Sequence, residues 1–310
     1  CDVTGVNNVG GFTGYMGRYT GSLISCFATG NINGDSYVGG LLGYNNTNTA
    51  GIISDSYTTG TVTGTGNYVG GLIGFNYGSS VSNCNSSSNV SGVSYVGGLI
   101  GNNALHGSNK SISDCYATGN VTGSNEFTGG LIGKNIEIIV TACSTDNVVN
   151  GSRYTGGLVG YNHTASIIKN STSSSITTGG SGYNGGLVGE NLGTIDNCAA
   201  SGAVTGGFIP GGNDYSYTGG LAGRNKGTIS NCNTTNTVTA TGRSVGGIVG
   251  SNDDGGVISK CSHTLGEVSN TSIATGGIAG TNFRSTIEYC YNNADITSDA
   301  WVGGIAGDNI

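Results

Sequence analysis

The sequence predicts an all-β fold: a single-stranded parallel β-helix, or β-solenoid, of about ten coils with three short strands each. Three observations lead there. Ten Gly-Gly pairs, at Gly39-Gly40, Gly70-Gly71, Gly97-Gly98, Gly129-Gly130, Gly156-Gly157, Gly185-Gly186, Gly219-Gly220, Gly246-Gly247, Gly276-Gly277 and Gly303-Gly304, recur 27 to 34 residues apart, with a degenerate copy at Gly10-Gly11. A repeat of that length is the mark of stacked structural units, each unable to bury its apolar face alone. The composition, with 62 Gly, 1 Pro and only 9% charged residues, lacks the Ala, Leu, Glu and Lys that long helices use. Finally, the apolar residues fall at fixed columns of the repeat, which low-complexity chains do not show.

The glycine element comes first in each unit. Two residues before the pair stand Tyr37, Tyr68, Tyr95, Phe127, Tyr154, Tyr183, Tyr217, Ser244, Ala274 and Trp301, so eight of ten positions could stack as an aromatic ladder. After the pair come Leu41, Leu72, Leu99, Leu131, Leu158, Leu187, Leu221, Ile248, Ile278 and Ile305, a column that must face a core. An apolar residue, Gly, any residue and Asn complete the element. The asparagines, Asn45, Asn76, Asn103, Asn135, Asn162, Asn191, Asn225, Asn252, Asn282 and Asn309, are expected to stack at one corner as an amide ladder, each bonding its neighbours. Glycine is expected to supply positive φ and close backbone approach at the corners.

A second run carries Leu23, Ile53, Val81, Ile112, Val140, Ile168, Ile195, Ile229, Ile258 and Ile287. Three residues later lies a cysteine column: Cys26, Cys84, Cys115, Cys143, Cys198, Cys232, Cys261 and Cys290, with Ser56 and Ser171 in its gaps and Cys1 expected at its start. Adjacent coils lie about 4.8 Å apart, so these cysteines are read either as buried thiols acting as small hydrophobes or as inter-coil disulfides such as Cys115 with Cys143. The third run centres on Ile32, Val62, Val90, Val121, Val149, Val204, Val238, Val268 and Ile296, with polar flanks as in Thr61-Val62-Thr63. Polar-apolar-polar alternation reads as a strand with one face buried. Parallel crossovers make the coil right-handed as a rule. Residues 1–310 read as one continuous solenoid without linkers.

The element at Gly156 to Asn162, Gly-Gly-Leu-Val-Gly-Tyr-Asn, resembles the GLUG motif, and the Gly-Thr-Ile-x-Asn-Cys stretches at Gly193 to Cys198 and Gly227 to Cys232 resemble its usual continuation. Such repeats occur in large secreted or surface-anchored microbial proteins, including adhesin-like proteins and non-catalytic regions of IgA-specific metallopeptidases. The resemblance implies an extracellular β-solenoid; it does not imply a catalytic activity, since the peptidases carry their zinc chemistry elsewhere.

Residues outside the columns offer little chemistry. His106, His163 and His263 form no His-Glu-x-x-His and are read as exposed corner residues. Asp253-Asp254 is the best acidic pair for calcium, but without a repeated Asp ladder it reads as isolated; Glu126 and Glu137 read as solvated edge charges and Lys134 as an exposed, silent position. No cofactor or metal is expected. A net charge of −7 without a basic run argues against nucleic acid, and no stretch is apolar enough to insert in a membrane.

Three functional classes follow. The first is a structural or adhesive surface fibre. Cys1 enters mid-unit and Gly307 to Ile310 follow directly on a glycine motif, so the segment is expected to continue in a longer chain or to stack end to end on copies of itself, with a surface glycan or host protein as partner. The second is a glycan-binding or ice-binding module that uses outward Thr and Asn rows. Variation among Asn31, Thr61, Asn89, Asn120, Ala203, Thr237, Glu267 and Asp295 argues against ice. A polysaccharide-processing enzyme is third, since no acidic cluster with a basic partner is visible.

Overall fold

The computed structural model describes residues 1–17, 21–47, 51–104, 110–207 and 216–310. All regular elements among them are strands, and all their pairings are parallel, each strand bonding the equivalent strand one repeat away. No helix there is long and apolar enough to cross a membrane. The chain is a β-solenoid of about ten turns, with the three strand runs per turn that the repeat predicts.

One central coil shows how local sequence makes the path. Thr155–Gly156 and Val159–Asn162 are the two halves of the glycine run, broken at the Gly-Gly. Ile167–Lys169 is the second run, and Thr172–Ser173 with Ile176–Gly179 is the third. The halves of the glycine run belong to separate 11-stranded sheets, the second run to a 10-stranded sheet, and the third to a 19-stranded sheet. Register is exact at the diagnostic columns: Gly156 pairs with Gly185, Asn162 with Asn191, and Ile168 with Ile195.

Glycine at the pair is required by contact, not by φ. A Cβ on Gly156 would overlap the carbonyl oxygen of Val159, and one on Gly157 the carbonyl oxygen of Gly186 in the next coil and the Ser173 hydroxyl. Neither glycine has positive φ. Six other glycines do hold positive φ, among them Gly78 and Gly255 at the corner after the Asn ladder, but two columns of left-handed positions belong to other residue types. One is the residue before the cysteine column, from Ser25 and Asp55 through Ala142 to Lys260 and Tyr289, with φ from 51° to 55°. The other is the aromatic column at Tyr37, Tyr68, Tyr95, Phe127, Tyr154 and Trp301. Such a conformation costs a bulky residue energy, and here it is held by the hydrogen bonds and stacking of both neighbouring coils.

The main core contains the Leu column, the apolar residue after it, the Ile column and the cysteines. Leu158, Val159 and Ile168 are fully buried. A second, narrower core lies between the third run and the residue preceding each glycine pair, with Val62, Val90 and Val121 against Val38, Val69 and Val96. Farther along it becomes polar, with Thr128, Thr155, Thr177, Asn184 and Thr218 all buried. Thr177 fills the place of the third-run valine, in register between Val149 and Val204.

In urea denaturation, Leu158→Ala should lower the unfolding free energy by about 2–5 kcal/mol. Thr172→Ala, on the exposed surface, should change it by less than about 0.5 kcal/mol. Equal losses would show that the assigned core column is wrong.

Candidate functional site

The asparagine column is an unbroken chain of amides. Asn45 Nδ2 donates to Asn76 Oδ1 at 2.6 Å, and the same bond repeats through Asn103, Asn135, Asn162, Asn191, Asn225, Asn252, Asn282 and Asn309 at 2.8–3.2 Å. The remaining N–H often caps a carbonyl at its own corner, as Asn76 does at Ser79 and Asn135 at Ile138, both 2.9 Å. From Asn45 to Asn252 the side chains have no exposed surface, so they serve the corner and offer no strip to a ligand. Met16 occupies this column before Asn45 and cannot donate, which leaves Asn45 Oδ1 without a partner.

All nine cysteines are free thiols. Cys84, Cys115, Cys143, Cys198, Cys232 and Cys261 are buried, while Cys26 and Cys290 are partly buried. Each thiol of the column donates to the carbonyl two residues earlier, as Cys115 does to Ser113 at 3.0 Å and Cys232 to Ser230 at 3.0 Å. Ser56 and Ser171 make the same bond, to Ser54 at 2.7 Å and Lys169 at 2.8 Å. They also accept from the backbone N–H of Cys26 and Cys143 in the preceding coil, at 3.1 and 3.2 Å. Cysteine and serine therefore alternate because both can close the left-handed turn with a short X–H group. Contacts with the Cys143 and Cys84 thiols, together with burial, push the Cys115 pKa up and keep it protonated. Cys1 does not start this column: Val3 pairs with Ile32, which sets Cys1 level with Gly30, and its ammonium donates to Thr29 O at 3.0 Å.

The histidines separate. His163 is half-buried at a corner, and His106 lies outside the described residues. His263 is fully buried, contrary to the exposed-corner reading. It occupies an inward column with Thr58, Ser86, Ala117, Thr145, Ser173, Ala200 and Thr234, residues small enough to face the glycine pairs across the core. Its Nδ1 meets Thr234 Oγ1 at 2.9 Å, its Nε2 has no protein partner, and burial lowers its pKa to about 4.

The outer surface of the glycine run carries the side chains whose chemistry varies. Its aromatic column stacks: Tyr37–Tyr68, Tyr68–Tyr95 and Phe127–Tyr154 have centroids 4.8, 4.6 and 4.7 Å apart. Beside it runs the position between Gly and Asn of the motif, where the motif accepts any residue: Tyr44, Phe75, Asn102, Lys134, Tyr161, Glu190, Arg224, Ser251, Thr281 and Asp308. Lys134 is not a silent surface residue, because its Nζ lies 5.0 Å from the ring centroids of both Phe127 and Tyr161. That desolvation lowers its pKa, and such cation–π contacts are worth about 0.5–2 kcal/mol.

Farther along, Arg224 joins Glu190 (3.3 Å), Asp253 (2.7 Å) and the Tyr183 hydroxyl (3.2 Å). Lys226 pairs with Asp254 at 2.9 Å. The two adjacent aspartates proposed for calcium thus face an arginine and a lysine of the previous coil. Burial raises the Glu190 pKa against the pull of Arg224. Glu126 pairs with Arg153 at 2.8 Å, and Glu137 is exposed. No group of three or more His, Cys, Asp or Glu among the described residues could hold a metal ion.

The family model for the GLUG motif matches at residues 34–63, 65–91, 151–178, 214–239 and 271–297. Each match spans about one coil, ending in or near the third strand run. Comparison with curated proteins and with solved structures gives no match.

Two outcomes test the buried polar groups. Asn162→Ala leaves Asn135 Nδ2 without its ladder acceptor and Asn191 Oδ1 without its donor, and should cost about 2–6 kcal/mol at ~1–3 kcal/mol per unsatisfied group. Asn162→Asp should cost at least as much near neutrality and less at low pH, where a protonated carboxyl can donate to Asn191. His263 has a folded pKa below its unfolded value, so the unfolded state takes up the proton first. Its neutral form therefore supports the fold above about pH 6.5, and about 3 kcal/mol of that support should disappear as pH falls towards 4. Comparing denaturation of the parent with His263→Thr, which repeats the residue at Thr234, should show that slope only in the parent.

Proposed function

From a chain built of GLUG motifs, we propose a rigid, non-catalytic shaft: a segment of an extracellular surface fibre, stalk or adhesin. The observation that carries this reading is the continuity of its ladders. Gly, Leu, Asn, Ile and Cys columns are all consumed by stacking, from the first coils to the last. Ten coils at about 4.8 Å each give a rod about 50 Å long. It acts through length and repeated surface, stacking on further coils of the same chain or of a second copy. Its partner is a surface glycan or a host protein; the −7 net charge disfavours nucleic acid.

Negative-stain imaging of native material, with immunogold labelling of intact cells, tests this reading. Filaments or long stalks outside the cell are the expected result. An isolated capped monomer, an intracellular location, or glycan or peptide cleavage lost on substitution of a surface carboxylate would overturn it.

A further inference from the structure

The aromatic column lapses in one place. Tyr217, Ser244, Ala274 and Trp301 occupy successive positions in strict register, so two coils carry no ring between Tyr217 and Trp301. In the same two coils the neighbouring column also shrinks, to Ser251 and Thr281, between Arg224 and Asp308. Four small side chains thus form a patch two coils high and two columns wide on a surface that elsewhere carries rings and long chains. The result is a groove of about 410 Å³, within the roughly 300–1,000 Å³ of small-molecule sites. Three coil steps separate Tyr217 from Trp301, about 14 Å at ~4.8 Å per coil.

The lining has a definite chemistry. Tyr217 and Trp301 stand at the two ends, and Phe283 adds a third ring. Ala274, Ser251 and Thr281 form the floor, with Thr281 Oγ1 held from beneath by the buried Ser244 Oγ at 2.6 Å. Charged groups of both signs line the groove, Arg224 and Arg243 together with Asp253, Asp254 and Asp308. With aspartates outnumbering arginines, the groove has no excess positive charge to hold a phosphate or sulfate. A planar base or an aromatic side chain would match the rings but offer few hydrogen bonds to the rim groups Arg243 and Asp308. A pyranose meets both requirements, with an apolar C–H face for the rings and hydroxyls that donate and accept along its edge.

We propose that this groove is a binding site for an uncharged oligosaccharide, in which one sugar ring lies against Trp301 and its hydroxyls are read by Arg243 and the Arg224–Asp253 pair. The site does not rest on the extracellular reading and stands or falls separately from it. Trp301 is the only tryptophan of the chain, so its emission reports directly on the groove. Titration with cellotriose, chitotriose and mannotriose should give a saturable change with at least one of them. Ala274→Tyr, which restores the ring found in most coils, and Arg243→Ala, which removes a rim donor, should each weaken binding at least tenfold, with circular dichroism unchanged in the variant scored. The proposal fails if no trisaccharide gives a saturable change, if both folded variants bind as the parent does, or if N-acetyltyrosinamide binds more tightly than every trisaccharide.

Discussion

At each Gly-Gly pair from Gly10-Gly11 to Gly276-Gly277 the backbone passes so close to its own next turn and to the following coil that no Cβ fits without displacing its neighbours. Gly156 lies against the Val159 carbonyl and Gly157 against the Gly186 carbonyl and the Ser173 hydroxyl. From that approach the rest follows in order. The chain turns sharply enough to aim Leu158 inward and then to deliver Asn162 into the amide ladder. Since each coil contacts the next at every column, the register is enforced many times over. A slip of one residue would drive side chains into the glycine contacts and turn the third run's valines towards water.

Much of this was readable in the residue order, because a solenoid repeats its contacts and so repeats the residue types that satisfy them. Leu131, Ile195 and Val238 are core because their columns are, and the glycine spacing alone marks the coil. Other features left a weaker trace or none. The left-handed position before the cysteines is Asn or Asp in six of ten coils, at Asp55, Asn83, Asp114, Asn170, Asn197 and Asn231, the types that tolerate it, but Ser25, Ala142, Lys260 and Tyr289 give no such signal and hold the conformation because neighbouring coils impose it. His263 is buried by its register with Thr234 and not by any property of histidine. Lys134 and the Arg224 pairs were hidden by a motif position that accepts any residue. Their partners are one coil away in space but about thirty residues away in sequence.

The molecule thereby divides its labour by column. Inward and corner columns are nearly uniform because every coil must satisfy the same backbone groups. Outward columns are free to change, and the surface passes from rings near Tyr37 and Tyr68, through a cation among rings at Lys134, to paired charges at Arg224 and then to small residues at Ser251 and Thr281. A repeat that fixes its core so firmly can carry different chemistry at different heights without disturbing the fold.

The same coil-to-coil hydrogen bonds decide how the rod bears a load. They run along its axis, so tension on the two chain ends falls on one terminal coil at a time and opens its ladders in sequence. Each coil of 27 to 34 residues then releases about 90–115 Å of chain at ~3.4 Å per residue, against a rise of about 4.8 Å while folded. Under extension the rod is a mechanical fuse: stiff until its last coil yields, then lengthening by a large step set by the length of each coil while the remaining coils keep their structure.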